Sequence, residues 1–349
     1  MKSNTFKVVD LFCGLGGLTT GVIEACNDAS VELDIVLAND IEDSCAHFYK
    51  SNFSEYLSNF YNKSIDELLA DFNVFNIEKN SIDLVLAGPP CQGNSDLNNK
   101  TRRTDSKNIL YLRTIDFIAK TLPKYFLIEN VPSVIHAEQN VVDESLKQLI
   151  NLGYNVFDKI VEFGKLGVAQ NRKRHILIGE RPNKNSIDSF LDLAYLNYNK
   201  TALEDVIGDL LNKKSTSIFD TPSKMGTQNI QRVEYLFTKN LYDLPNQMRP
   251  KCHQKIHSYK SMYGRMHWHQ PSQTITGGFG SMGQGRFIHP LKKRVITPHE
   301  AARIQGLPDW LNFESITTRT KIQKMIGNAV PPVLSKEFVN AILKGNNCD

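Results

Sequence analysis

Five polar side chains in this 349-residue chain follow closely on short apolar runs, and their types are those of a covalent acid–base reaction. Cys91 ends the stretch L-V-L-A-G-P-P-C. Once ionised, a thiol is a potent nucleophile, although one of ordinary pKa, about 8.5, needs local activation at neutral pH. Glu129, in E-N-V, is a carboxyl able to hand over or take up a proton. Arg172 and Arg174, in Q-N-R-K-R, are able to hold an oxygen on which charge develops. Asp40 closes L-D-I-V-L-A-N-D and lies downstream of the glycine-rich turn C-G-L-G-G at 13–17. Glycines there let a ligand approach the backbone, and an acid about 20 or more positions on accepts hydrogen bonds from ribose hydroxyls. Each signal has a plainer reading. A lone cysteine is often a buried core residue, and the glycine turn with Asp40 would also fit a dinucleotide enzyme.

The elements needed to position these groups alternate along the chain. Residues 6–12, 33–38, 82–87, 125–128, 154–163 and 175–179 read as strands, with a third short strand expected near 73–77. Helical patterns fall at 18–26, 43–50, 64–72, 109–121 and 142–152. Gly88, Pro89 and Pro90 stop the 82–87 strand abruptly and restrict the backbone before Cys91. Such alternation predicts an α/β fold, a doubly wound and mostly parallel sheet. In that fold ligands bind beyond the carboxyl ends of the strands, where Asp40, Cys91 and Glu129 fall. The polar, basic run Q-G-N-S-D-L-N-N-K-T-R-R after Cys91 reads as a surface loop, with Arg102 and Arg103 suited to phosphate contact.

Beyond about residue 183 the alternation fails. Residues 221–296 hold twelve Lys and Arg against two Asp and Glu, a net of +10, which leaves −6 for the rest of a chain whose total is +4. Tyr242, Tyr263, Trp268 and Phe279 lie in the same block, so it reads as a folded basic surface with a polyanionic partner. No apolar run approaches the roughly 18 residues needed to span a membrane. The opening residues carry no apolar signal region, and the six cysteines show no paired spacing. A cytoplasmic protein with reduced thiols is expected. Cys252, His253, His257, His267 and His269 match no common zinc pattern, and no metal is expected.

D-L-F-C-G-L-G-G, G-P-P-C-Q, E-N-V, Q-N-R-K-R, R-V-I-T-P-H-E-A-A-R-I-Q-G-L-P and G-N-A-V-P-P, in this order from Asp10 to about Phe338, resemble the motifs of the DNA cytosine-5 methyltransferases. The third motif, usually Asp-Ile, has only Asn76-Ile77 as a stand-in. The resemblance implies an S-adenosylmethionine-dependent methyltransferase fold, with a catalytic domain at 1–182 plus 318–349. A smaller, irregular target-recognition domain would occupy 183–317. Cys91 would be the nucleophile, Glu129 the proton carrier and Arg174 the holder of the base's carbonyl oxygen, with Arg172 and Gln170 bracing the site. Phe12, Gly14, Leu15, Gly16, Gly17, Asp40, Ile41, Leu110 and Asn328 would line the pocket for S-adenosyl-L-methionine. Arg102, Arg103, Lys251, Arg265 and Arg286 would meet double-stranded DNA. A monomer in a bacterial restriction–modification system is implied, its endonuclease a genomic neighbour.

Two other readings keep the same motifs: an RNA (tRNA) cytosine-5 methyltransferase, and a catalytically silent, sequence-specific DNA-binding protein. The long basic segment favours duplex DNA over the first. Intact Cys91, Glu129 and Arg174 weigh against the second. A nicotinamide oxidoreductase would need neither P-C-Q nor E-N-V.

Overall fold

The computed structural model describes residues 5–90, 109–136, 140–182, 186–254 and 261–346. Cys91, Arg102 and Arg103 therefore lie outside the described residues. The chain divides into two compact units. The first comprises Met1–Leu166, Lys173–Tyr198 and Val330–Asp349, and the second Gly167–Arg172 and Asn199–Ala329.

The first unit is built on a seven-stranded sheet. Its strands are β1 (Phe6–Leu11), β2 (Leu33–Asn39), β3 (Phe60–Tyr61), β4 (Leu84–Ala87), β5 (Tyr125–Asn130), β6 (Asn155–Glu162) and β8 (Lys173–Glu180). They are ordered β3-β2-β1-β4-β5-β8-β6. From β3 to β5 the neighbours run parallel, whereas β8 is antiparallel to both β5 and β6. The chain leaves β1 toward β2 and returns on the other side to β4, so the sheet's switch point lies between β1 and β4. Alternation sorts the faces. Val9 and Leu11 of β1, Val85 and Ala87 of β4, and Phe126 and Ile128 of β5 share one core. Its cover is α4 (Ile109–Thr121) and α5 (Val141–Asn151), through residues such as Ile115, Ile118 and Leu149.

On the opposite face α1 (Gly17–Asp28) packs against the closing helix α11 (Val333–Asn346). Contact is close because α1 carries glycines where they meet. A Cβ at Gly21 would fall 1.9 Å from the Pro332 carbonyl oxygen, and Ser335 Oγ donates to the Leu18 carbonyl at 2.6 Å.

Two expectations need correction. The third strand is β3, not a segment near 73–77; Phe72–Phe75 is instead a 3-10 turn ended by Asn76 at φ 49°. Its period of three brings Phe72 and Phe75 to one face. There Phe72 packs on Phe117 and Phe75 on Tyr61. The boundaries also differ, with 186–198 in the first unit and 167–172 and 318–329 in the second. Phe190 packs edge-on to Phe338, the rings 5.1 Å apart, and Tyr198 O–H donates to Glu337 at 2.8 Å, which ties that segment to α11.

The second unit is less regular. Val233 and Leu236 of α8 (Thr227–Thr238) form its core with Met262, Met282, Ile288 and Val295. Thr297 caps α9 (Pro298–Ile304), exchanging bonds with Glu300. Burial alone would raise the pKa of Glu300. The paired bonds from Arg294, at 2.7 and 2.6 Å, and the nearby His289 outweigh burial and hold it at about 2. Asp220, where burial is likewise outweighed by His299 and Lys213, is also held at about 2.

A group with a depressed folded pKa stabilises above its unfolded value and loses that contribution as pH falls toward the folded one. Acid should therefore destabilise the second unit from pH near 4.5 down toward 2. Glu300 alone would account for on the order of 3 kcal/mol. Both tryptophans, Trp268 and Trp310, belong to this unit, so their fluorescence isolates its transition. Glu300→Gln should flatten the acid limb in part, since Asp220, Asp209 and Asp309 are also held low and supply the rest. An unaltered acid limb would show that Glu300 is not ionised in the folded unit.

Candidate active site

Beyond β1 the chain turns through residues held at positive φ, namely Phe12 at 54°, Gly14 at 57° and Gly16 at 80°. Asp40, just beyond β2, fixes this turn. Its Oδ2 accepts the Gly14 N–H at 2.9 Å, and its Oδ1 the Glu42 N–H at 2.9 Å. A Cβ at Gly14 would meet no atom of the described residues within 4 Å, so among them the turn is open above that residue. Gly16 and Gly17 serve packing instead, since Cβ atoms there would strike Phe53 and the Val330 carbonyl. Leu15 is buried, Phe12 and Leu110 are half-buried against the core beneath α4 and α5, and Ile41 is 64% exposed beside Asp40. Asn328 ends α10 (Arg319–Asn328) in the second unit.

Below the turn, Asp10 accepts from Thr19 at 2.6 Å, and Thr19 Oγ1 lies 2.6 Å from the Tyr49 hydroxyl. Burial pushes the Asp10 carboxyl up to about 7, against the Thr19 bond and with help from Asp40's charge. The sequence offers little sign of this support, because Asp10 lies inside an apolar strand.

Glu129 stands near the end of β5, opposite Ile176 of β8. Because β8 runs backwards, its beginning lies at the edge where β5 ends. That puts Arg174 Nε 2.8 Å from Glu129 Oε1, with both side chains largely enclosed. Burial lowers the Arg174 pKa from its ordinary value, and Glu129 opposes the shift. Glu129 Oε2 lies on the side of Gly88, 3.9 Å from where a Cβ there would stand; Phe12 O is equally near that point. The neighbouring Asn130 is buried and donates from Nδ2 to the Pro89 carbonyl at 3.1 Å. It thereby anchors the backbone two residues before Cys91. The E-N-V motif does not by itself assign Asn130 a role; the signal for it in the sequence is its place beside an acid at a strand end.

The Q-N-R-K-R run divides between the units. Gln170 exchanges bonds with Gln305 (2.6 Å) and the Ile275 N–H (2.9 Å). Arg172, 2% exposed, donates to the carbonyls of Ile275 and Gly327 at 3.3 and 3.1 Å. Both sets lie in the second unit, whereas Arg174 belongs to the first. Arg172 is thus placed among backbone carbonyls, a positioning rather than a reacting arrangement.

The candidate DNA contacts separate likewise. Lys251 is exposed. Arg265 lies over the rings of Phe237 and Tyr242, at 4.2 and 5.1 Å, and donates to the Pro290 carbonyl. Arg286 pairs with Asp243 at 2.6 Å and donates to the carbonyls of Tyr242 and Arg265. These two guanidinium groups hold the second unit together. No cluster of three or more possible metal ligands occurs among the described residues, and no described helix is long and apolar enough to cross a membrane.

Residues 6–344 match the family model of the C-5 cytosine-specific DNA methylases. The chain belongs to that family. Among its relatives is the type II methyltransferase M1.BsuMI of Bacillus subtilis, 42% identical over 96% of this chain and 80% of its own length. Another is the type II methylase M.HgiDII of Herpetosiphon aurantiacus, 31% identical over 96% and 94%. The Dnmt2 methyltransferase of S. pombe shares the fold at a TM-score of 0.69 and 20% identity, over 98% of this chain and 99% of that one. The protein is accordingly a DNA cytosine-C5 methyltransferase.

Asn130→Ala should strip the buried Pro89 carbonyl of its donor, a cost of about 1–3 kcal/mol. Since the loss falls on the approach to Cys91, the turnover number for methyl transfer should drop about tenfold or more, with KM for DNA nearly unchanged. Steady-state kinetics beside a thermal melt would decide, and wild-type turnover in the variant would remove Asn130 from this role.

Proposed function

We propose that the protein methylates carbon 5 of a flipped-out cytosine in a specific duplex sequence, using S-adenosyl-L-methionine and a transient Cys91–cytosine bond. The observation that carries this reading is the Glu129–Arg174 pair beside Gly88 and the Pro89 anchor, at the sheet edge that also bears the glycine turn. The open side of Gly14 and the Asp40 carboxylate suit a nucleoside with ribose hydroxyls, and exposed Ile41 offers an apolar surface beside them. When bound, S-adenosyl-L-methionine supplies an electrophilic methyl group on sulfur.

The remaining work falls to the chain. Carbon 5 of cytosine is a poor nucleophile until the ring is made electron-rich. Cys91 thiolate would add to carbon 6, and the displaced electron pair would run to ring nitrogen N3, where protonated Glu129 delivers its proton from Oε2. Arg174 would hold the carbonyl oxygen and steady the charge left on Glu129. The resulting enamine carbon 5 is the nucleophile toward methyl. Afterwards the carbon-5 hydrogen leaves to a base, the C6–S bond breaks, and N3 returns its proton to Glu129. Since those atoms are stacked inside a duplex, the base must be extruded. The second unit would read the target, with Lys251, and Arg102 and Arg103 of the 92–108 stretch, on phosphates. We assign the protein, acting as a monomer in the cytoplasm, the protective half of a restriction–modification system whose endonuclease is a genomic neighbour.

Asp40→Ala should raise the KM for S-adenosyl-L-methionine, since hydrogen bonds to a charged group contribute about 1.5–3 kcal/mol. DNA affinity without cofactor should be preserved, and an equal loss there would make Asp40 a structural residue only.

A duplex with 5-fluorocytosine at the target tests the covalent step, because fluorine cannot leave as a cation. With S-adenosyl-L-methionine, wild-type protein should form a denaturation-resistant adduct carrying one added methyl, and Cys91→Ala none. Glu129→Gln should trap much more slowly, an amide having no proton to give N3. A matched RNA substrate run alongside should remain unmodified. Peptide mass spectrometry mapping the adduct to any cysteine but Cys91 would sink the mechanism.

A further inference from the structure

A cavity of about 640 Å3 lies wholly within the second unit, between residues 210–222 and 292–300. None of the candidate active-site residues lines it. Four cationic side chains, Lys213, Lys214, Lys292 and Arg294, meet two carboxylates, Asp220 and Glu300, in its walls. Both carboxylates are already matched. Asp220 Oδ1 lies 3.0 Å from Lys213 Nζ and 2.7 Å from His299 Nδ1. Glu300 takes the paired bonds from Arg294 and has His289 Nε2 at 3.4 Å.

The cations are not matched in the same way. Among the described residues exposed Lys214 enters no ion pair, and the Lys292 ammonium reaches only the Leu211 carbonyl. Arg294 uses Nη1 on Glu300 and the Val295 carbonyl, and Nη2 on Glu300. A guanidinium carries five N–H groups. Its Nε–H and second Nη2–H, which project side by side, therefore have no protein acceptor among the described residues. A forked pair of N–H donors, two ammonium groups in excess and the hydroxyl of Thr216 suit a tetrahedral oxyanion.

We propose that this cavity binds a phosphate group. Its source is either a phosphodiester of the bound duplex or free orthophosphate, and only the first depends on the function proposed above. The test uses the full chain and its Lys214→Ala/Lys292→Ala variant, neither lysine having been placed in the catalytic machinery. At constant ionic strength, about 10 mM orthophosphate should raise the thermal midpoint of the wild type by roughly 2–4 °C, and that of the variant less. If a DNA phosphodiester occupies the cavity, the variant should also flatten the plot of log K against log salt by about 0.9 per lost contact, with turnover at saturating DNA unchanged. If free phosphate occupies it, that slope should be the same in both proteins. The proposal is overturned if orthophosphate shifts neither midpoint, or both equally, and the slope does not change. Wild-type methyl transfer measured in parallel separates the two ideas: its absence would count against the proposed function and leave the orthophosphate result standing.

Discussion

Glu129 and Arg174 come within 2.8 Å of each other because the strand that carries the arginine runs against its neighbour. In a wholly parallel sheet, the start of every strand lies at the edge opposite the reactive one. Inserting β8 backwards between β5 and β6 brings the beginning of an arginine-bearing segment to the edge where β5 delivers an acid. Burial makes the pairing matter. A guanidinium so enclosed loses its hydration, and a carboxylate beside it offsets part of that cost. The same carboxylate leaves Oε2 on the Gly88 side. One reversed strand thus yields an acid with one oxygen engaged by a cation and the other toward the loop that leads to Cys91.

Holding that edge in shape requires both ends of the chain. The turn after β1 carries three residues at positive φ, and Asp40 ties it by accepting a backbone N–H. Under it, the Tyr49–Thr19–Asp10 series replaces water with internal hydrogen bonds. Helix α1 must then lie close to α11, which Gly17 and Gly21 permit by lacking a Cβ. Any larger residue at Gly21 would push against the Pro332 carbonyl and tilt the helix that follows the turn. Packing at the far end of the sequence therefore bears on the geometry of the first loop.

Much of the sheet was legible because apolar runs ended by Gly, Pro or acids mark buried strands and their carboxyl edges. β3 was not, since two residues, Phe60 and Tyr61, are too short to show a period. Phe72–Phe75 has the aromatic content of a strand and took a 3-10 turn because its partners, Phe117 and Tyr61, lie on one side. Residue type alone also could not sort the arginines. Arg265 and Arg286 sit in a basic block, as a DNA surface would require. Phe237, Tyr242 and Asp243 draw them inward, and that depends on tertiary neighbours.

The Q-N-R-K-R run shows how one short segment serves two ends. Were it a single strand, Gln170, Arg172 and Arg174 would share a face by period two. The strand is interrupted at Arg172, between Asn171 and Lys173. Gln170 and Arg172 then bind carbonyls and amides of the second unit, and Arg174 turns to Glu129 in the first. Gly327 shows why a long donor side chain is needed at Arg172. A Cβ at Gly327 would lie 2.1 Å from the Gly277 nitrogen, so two backbones meet closely and their carbonyls need a donor able to reach both. Both bonds come from the single nitrogen Nη1, at the tip of a side chain long enough to bring it between the two carbonyls. Arg172 and Arg174 thus look alike in the sequence but act differently. The first joins two backbones within the second unit, and the other faces the acid of the first unit.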